Sequence, residues 1–148
     1  MNPNSDFRDL LSTFNDFDVR YLVVGGYALM LYVEPRFTKD LDIWVEASDV
    51  NASRVFAALA RFGAPLKGLT HADFAQTGIV YQVGMPPARI DILMSVTGVD
   101  FPAAWENRKI TAYAGLPVPC MSRADLIKNK RATGRPQDLL DAEQLERG

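Results

Sequence analysis

Three aspartates are the residues of this sequence whose types and spacing point most directly to chemistry. Asp40 and Asp42 stand one residue apart in DLDIWVE, and Asp91 stands in RIDILMS. Because side chains alternate between the faces of a strand, Asp40 and Asp42 are expected on one face, where their charges repel. A divalent cation removes that repulsion, and Mg²⁺ prefers oxygen ligands. Three carboxylates at one place would suit a metal-assisted phosphoryl displacement.

The same aspartates also fit simpler explanations. A water-exposed strand face tolerates two carboxylates at little cost. Asp91 has apolar neighbours, and an unpaired buried carboxylate is costly, so a salt bridge to Arg89 or Arg36 would satisfy it equally well. The residues alone leave open whether Asp91 is a third metal ligand or one half of an ion pair.

A glycine pair precedes the aspartates. RYLVV (20–24) predicts a strand, Gly25-Gly26 ends it, and YALMLYV (27–33) predicts a short buried helix. A strand that runs through glycine into a helix exposes backbone N–H groups at the positive helix end, and glycine lets a phosphate approach closely. A plain tight turn is the alternative. The chain has neither a Walker P-loop nor a dinucleotide-binding glycine motif.

Residues that would balance the charge of a triphosphate stand in two places. Arg36 and Thr38 come just before the aspartates, and Lys130 and Arg135 stand near the C-terminus. Lys128 and Lys130 are two residues apart on a predicted helix, so only one of them faces a given pocket. Lys130 is preferred because it is nearer the helix break.

The remaining reactive residues are interpreted as structural. His71 and Cys120 are the single histidine and cysteine of the chain and lack partner motifs. Four aromatic residues have the shape to stack on a base, but core packing is the preferred role for them: Tyr27, Tyr32, Trp44 and Tyr81.

Hydrophobic periodicity and end signals predict helices that interleave with strands. Several strands follow one another directly, which favours a mixed α+β fold with helices packed on a mixed sheet. The further helices are predicted at 5–17 with an Asn4 cap, at 48–63, at 122–133 and after Pro136, and the further strands at 40–46, 78–84, 88–96 and in a hairpin around Gly115.

Composition and charge bound the function. The 148 residues fit one domain, 1–148, and 48% hydrophobic residues suffice for a core. No apolar run approaches a membrane span and the N-terminus does not resemble a signal peptide, so a cytoplasmic protein without membrane association is expected. A net charge of −2 gives no general attraction to nucleic acid.

The combination GGYAL, R-x-T-x-DLDI, a third aspartate and K-R-x-x-G-R-x-x-D-L-x-D resembles the nucleotidyltransferase superfamily that shares its fold with DNA polymerase β. Within it, the pattern looks like that of the AbiEii-like small nucleotidyltransferases, many of which are encoded in toxin–antitoxin pairs. The resemblance implies Mg²⁺-dependent transfer of an NMP from an NTP to a hydroxyl group on a protein, a tRNA or a small molecule. It also implies a possible cognate toxin or antitoxin partner.

The resemblance assigns roles to the matching positions. Gly25 and Gly26 would touch the triphosphate, and Lys130 would meet its phosphates. Arg135 and Asp138 would position that lysine. The three aspartates, Asp40, Asp42 and Asp91, would bind Mg²⁺ and carry catalysis.

One departure from the family pattern is the second glycine, which stands where a serine is common. Two alternatives stay open. One is a non-catalytic nucleotide-binding or antitoxin-like partner of the same fold, and the other is a scaffold whose aspartates only solvate a sheet face.

Overall fold

A six-stranded mixed sheet organises the part of the chain that the structure, a computed structural model, describes: residues 5–33, 40–85 and 88–148. The strands are β1 (Tyr21–Val24), β2 (Leu41–Val45), β3 (Val80–Met85), β4 (Ala88–Leu93), β5 (Lys109–Tyr113) and β6 (Leu116–Cys120). Their order in the sheet is β3-β4-β2-β1-β6-β5. β2 pairs in parallel with β4, and β1 pairs in parallel with β6, whereas the other pairs are antiparallel.

Helices occupy most of the connections. They are α1 (Ser5–Asp16), α2 (Gly25–Tyr32), α3 (Asp49–Phe62), α4 (Phe101–Glu106), α5 (Arg123–Thr133) and α6 (Pro136–Arg147). A 3-10 helix, His71–Ala75, lies between α3 and β3. The predicted mixed α+β architecture is therefore confirmed. Within the described residues, no helix combines the length and the apolar character that crossing a bilayer requires.

Local signals set the ends of the helices. The Ser48 hydroxyl accepts a hydrogen bond from the Asn51 amide at the start of α3, and Gly63 ends that helix in the left-handed region with φ 97°. Ser122 caps α5 through the Asp125 amide at 3.1 Å, and Gly134 ends α5 with φ 68°. The predicted Asn4 cap lies outside the described residues.

The two faces of the sheet have different roles. On one face Phe14 of α1 packs against Tyr21 with ring centroids 5.5 Å apart, next to the fully buried Ile43. Trp44 points to the opposite face, where it meets Phe101 of α4 at 5.0 Å. Because side chains alternate along a strand, Asp42 shares the face of Trp44 rather than the face that packs on α1.

The glycine pair differs from its predicted position. Gly25 and Gly26 do not lie in a turn before a helix at 27–33 but form the first turn of α2 itself. The strand ends at Val24, and the helix follows with no intervening loop. Glycine permits this abrupt change, because Gly25 adopts a left-handed φ of 67°, which a residue with a Cβ rarely adopts.

Candidate active site

The glycine turn, Gly25 and Gly26 at the start of α2, lies directly against Asp42. Val24, the last residue of β1, pairs with Asp42 in the β1–β2 register. A Cβ built on Gly25 would approach Oδ2 of Asp42 to 2.2 Å, which is far closer than atoms pack. The N-cap residue Val24 provides no side-chain hydrogen bond to the first turn of α2. The start of α2 therefore lies beside a carboxylate. A helix start suits an anion because its backbone N–H groups are unpaired, and the carboxylate suits the cation that accompanies such an anion.

We predict that Gly25→Ala lowers the free energy of unfolding by about 2 kcal/mol, because the substitution strains the left-handed backbone and displaces Asp42. Urea unfolding followed by circular dichroism measures the change. Gly63→Ala is the matched control, since Gly63 also has positive φ but a Cβ there meets nothing within 4 Å. Equal losses in the two variants would show that the contact with Asp42 contributes nothing.

Asp40, Asp42 and Asp91 form an acidic cluster, and Asp42 and Asp91 lie at its centre. They pair with each other in the parallel β2–β4 register. Burial raises the pKa of Asp42 to about 7, and the charges of Asp91 and Asp40 and a hydrogen bond with Asp91 add to the effect. The Arg89 charge opposes it only in part. The Asp42 carboxyl group therefore keeps its proton at pH values well above the usual range for an aspartate, because it is buried beside other carboxylates.

The stability of the protein in EDTA is expected to fall as the pH rises from 3.8 to about 7. Across this range the folded Asp42 carboxyl binds a proton that the unfolded chain has already released, so raising the pH favours unfolding. Thermal unfolding at a series of pH values tests this. Asp42→Asn removes the titrating group, and its stability should change less over the same range. A wild-type profile parallel to that of Asp42→Asn would contradict the assignment.

Arg89 closes the cluster with two ion pairs. Its Nε donates to Oδ1 of Asp91 at 2.8 Å, and its Nη2 donates to Oδ2 of Asp91 at 3.2 Å. The same Nη2 donates to Oδ2 of Asp40, also at 3.2 Å. Of the two arginines considered as partners of Asp91, Arg89 forms the salt bridge, whereas Arg36 lies outside the described residues. The guanidinium thus joins carboxylates from the start of β2 and the middle of β4.

A cavity of about 350 Å³ opens beside Asp42, between the sheet and α5. Its lining brings together five predicted site residues: Gly25, Gly26, Asp42, Lys130 and Arg135. Other lining residues come from the segment after β4 and from α5, and the polar ones among them are Ser95, Thr97, Asn129 and Thr133. The predicted preference for Lys130 agrees with this placement. Arg36 and Thr38 lie outside the described residues, so their predicted roles remain predictions.

Lys130 reaches the cavity wall from an ion-pair network between α5 and α6. Its Nζ lies 3.2 Å from Asp141 and 3.5 Å from Asp138, and these side chains are only 3% and 5% exposed. Arg135 donates to Asp138 at 2.7 Å, and this bond is the main reason that the pKa of Asp138 falls to about 2. The network fixes the lysine and leaves the Arg135 side chain 76% exposed.

Sequence reasoning missed Asp141 as a partner of Lys130. The signal was present, because Asp138 and Asp141 stand three residues apart and therefore share a face of α6. The structural interpretation of Cys120 agrees with its environment: the thiol is buried, and burial raises its pKa to about 12. A thiol with such a pKa stays protonated and unreactive at neutral pH. His71 begins the 3-10 helix and is exposed.

The acidic cluster suits a divalent cation in its chemistry. Asp42 and Asp91 lie within hydrogen-bonding reach of each other. The pKa of Asp42 is raised mainly by burial and further by the charges of Asp91 and Asp40, and a cation would relieve that repulsion. Across residues 5–33, 40–85 and 88–148, however, no group of three or more His, Cys, Asp or Glu side chains is arranged to hold a metal ion. Arg89 joins Asp40 to Asp91 instead.

Comparison with known proteins gives a family and a fold. A family model described as "Nucleotidyltransferase of unknown function (DUF6036)" matches residues 5–146. No curated protein sequence matches the chain significantly.

Three solved structures resemble the chain in fold. The lincomycin-bound lincosamide antibiotic adenylyltransferase LnuA matches with a TM-score of 0.58 and 17% identity over 99% of this chain and 98% of its own. A nucleotidyltransferase described as putative, from Thermotoga maritima, matches with a TM-score of 0.58 and 14% identity, covering 95% and 88%. ANT(2")-Ia in complex with adenylyl-2"-tobramycin matches with a TM-score of 0.57 and 15% identity, covering 94% and 84%. The predicted polymerase β-like nucleotidyltransferase fold is thereby confirmed.

Proposed function

Because the chain belongs to the nucleotidyltransferase family DUF6036, we propose that it transfers a nucleoside monophosphate from an NTP to a hydroxyl group and releases pyrophosphate. The observation that carries the proposal is the cavity in which the glycine turn, Asp42 and Lys130 meet. In this reaction the acceptor oxygen forms a bond to the α-phosphorus, the bond to the bridging oxygen of pyrophosphate breaks, and the hydroxyl proton is lost to a base.

The acidic residues would supply the negatively charged oxygen ligands for Mg²⁺. Asp42 would hold Mg²⁺, and Asp91 and Asp40 would become further ligands once Arg89 releases them. When bound, Mg²⁺ neutralises charge on the phosphates and aligns the attacking and leaving oxygens. Asp91 is also the candidate base for the acceptor hydroxyl, because it is the register partner of Asp42 on the neighbouring strand and lies on the same sheet face.

The basic residues and the glycine turn would bind the phosphates of the NTP. Gly25 and Gly26, in the first turn of α2, line the cavity together with Asp42, which suits a phosphate next to the metal. Lys130 would supply a fixed positive charge on the wall, since two carboxylates hold its ammonium group in place. Arg135 is largely exposed and would close on the outer phosphates.

A second cavity supports a small-molecule acceptor. It has a volume of about 670 Å³ and shares Ser95 and Val96 with the smaller cavity that holds Asp42. Its walls are largely apolar, and its charged lining residues are the acids Glu46 and Asp100. Such a lining would suit a hydroxyl compound that also carries an amine. Two of the structures of similar fold contain antibiotic molecules, lincomycin and adenylyl-2"-tobramycin, which is consistent with an acceptor of this size.

Incubation with each NTP radiolabelled at the α-phosphate tests the function. Tobramycin serves as an amine-bearing acceptor, and glycerol serves as a neutral hydroxyl compound. We expect label to move to an acceptor in the presence of Mg²⁺ and to remain on the NTP in EDTA. Total tRNA and cell lysate, added in parallel, would reveal a nucleic acid or protein acceptor. Absence of transfer to every acceptor, together with no stabilisation by Mg²⁺ and NTP in thermal unfolding, would overturn the proposal.

The second candidate is a non-catalytic nucleotide-binding or antitoxin-like protein of the same fold. The bridge from Arg89 to Asp40 and Asp91 favours it, because the cluster is partly neutralised by the chain's own cation. Stabilisation by NTP without any transfer of label would identify this alternative. A cognate toxin or antitoxin, if the chain has one, would be found by co-purification from the cytoplasm, where we place the protein because NTPs are available there.

A further inference from the structure

Arg89 bridges two of the three carboxylates that the proposed function assigns to the cation. One guanidinium contacts both oxygens of Asp91 and one oxygen of Asp40, all within 3.2 Å. The side chains of Asp40 and Arg89 are 35% and 32% exposed, whereas that of Asp91 is 13% exposed. The bridge therefore lies at the rim of the cluster, where a cation from solution can reach it.

We infer that Arg89 is a positioning residue that substitutes for the divalent cation, holding Asp40 and Asp91 together until the cation displaces it. The inference rests on the proposed function, because it concerns the same three carboxylates. It assigns Arg89 a role in cation binding as well as in folding.

The contacts explain why the arginine and the cation compete. A carboxylate oxygen that accepts a charge-assisted hydrogen bond has less electron density to offer a cation, and the positive guanidinium also repels the cation. Arg89 acts on Asp42 through its positive charge, which lowers the pKa of that carboxyl group. A cation that enters beside Asp42 would thus contact Asp91 and Asp40 only after the guanidinium has moved away.

Displacement would give Arg89 a second use. Arg89 and Asp91 are two residues apart on β4 and share a face of the sheet, so the freed guanidinium stays near the cluster. Its planar fork matches the oxygens of a phosphate group. The Arg89 side chain would then exchange its hydrogen bonds with Asp40 and Asp91 for hydrogen bonds with the NTP phosphates that bind together with the cation.

The sign of one measurement separates this role from a purely structural one. If Arg89 only supports the shape of the cluster, Arg89→Gln should weaken cation binding, because the carboxylates spread apart. If Arg89 competes with the cation, the same substitution should strengthen binding. Arg89 is partly exposed, so its charge is screened by water. Removing one positive charge about 6 Å from a divalent ion is worth about a tenfold gain in affinity at a water-like dielectric.

Mn²⁺ binding to the full chain, followed by the electron paramagnetic resonance of the free ion, supplies the measurement. We expect Arg89→Gln to bind Mn²⁺ about tenfold more tightly than the wild type, and Arg89→Lys to fall between them because it keeps the charge without the fork. Arg61→Gln is the control for net charge, since Arg61 is exposed in the last turn of α3. In EDTA, Arg89→Gln should melt at a lower temperature than the wild type, and Mn²⁺ should remove that difference in melting temperature.

Each outcome has a defined meaning. Equal or weaker Mn²⁺ binding by a folded Arg89→Gln variant, when the wild type binds the ion, would overturn the inference and leave the proposed function standing. Binding by Arg89→Gln alone would show that a cation does not displace Arg89 in the wild type, which would overturn both the inference and the proposed function. If neither protein binds Mn²⁺, both ideas fail, and the cluster is a permanent arginine–carboxylate ion pair.

Discussion

Asp42→Asn is expected to lower the rate of nucleotide transfer by about 10²–10³-fold, the usual cost of losing one charged group that stabilises a transition state. Asparagine keeps the size of the side chain and one oxygen, but it removes the negative charge that the cation needs. The fold should survive, because the substitution removes a buried carboxyl group whose pKa is raised mainly by burial and further by the charges of Asp91 and Asp40. Transfer of label from the α-phosphate under saturating Mg²⁺ gives the rate.

The matched control is Asp9→Asn, the same chemical change at an exposed position of α1. It should transfer label at the wild-type rate. A second measurement, the Mn²⁺ affinity of Asp42→Asn, shows whether the loss of rate comes from the cation site. A variant that retains wild-type transfer and wild-type Mn²⁺ affinity would remove Asp42 from the proposed site.

Lys130→Met should lower the free energy of unfolding by about 3–4 kcal/mol, because it leaves two buried carboxylates without the ammonium group that neutralises them. Asp138 keeps its bond to Arg135, so Asp141 bears the greater part of the loss. Chemical denaturation in urea measures the change. Transfer activity should also fall in conditions where the variant is still folded, because the cavity loses its fixed positive charge.

Lys128→Met provides the comparison for this variant. Lys128 lies in the same helix two residues earlier, but its side chain is exposed. Its removal should change stability by less than about 0.5 kcal/mol, as is usual for a surface substitution. If the two lysine variants were equally stable, the ion pairs with Asp138 and Asp141 would contribute nothing to the association of α5 with α6.

Much of the local structure follows from short-range signals in the sequence. The caps of α3 and α5 were predictable, because a serine hydroxyl and a glycine in the left-handed region act within one helical turn. The strand assignments also held, with bounds within a few residues. The close approach of Asp42 to Asp91 followed from the alternation along two strands, given that the strands are neighbours.

Features that depend on contacts between distant segments were not predictable in this way. The start of α2 at Gly25 depends on a backbone turn that the adjacent carboxylate and strand hold in place. The burial of Asp138 and Asp141 depends on how α6 packs against α5. The sequence suggested Arg89 as a partner of Asp91, but the bridge to Asp40 requires the parallel pairing of β2 with β4, which nothing local encodes.

The parallel pairing of β1 with β6 has a consequence for when the cavity beside Asp42 can assemble. Val23 pairs with Cys120, and the Met121 amide donates to the Val23 carbonyl at 3.0 Å, which brings the start of α5 next to the glycine turn. Lys130 and Arg135, the basic residues of the cavity wall, stand much later in the sequence than Asp42. They are therefore translated well after it. A chain cut before α5 would keep Asp42 and the glycine turn but would lack Lys130, so this cavity cannot assemble until α5 has been synthesised.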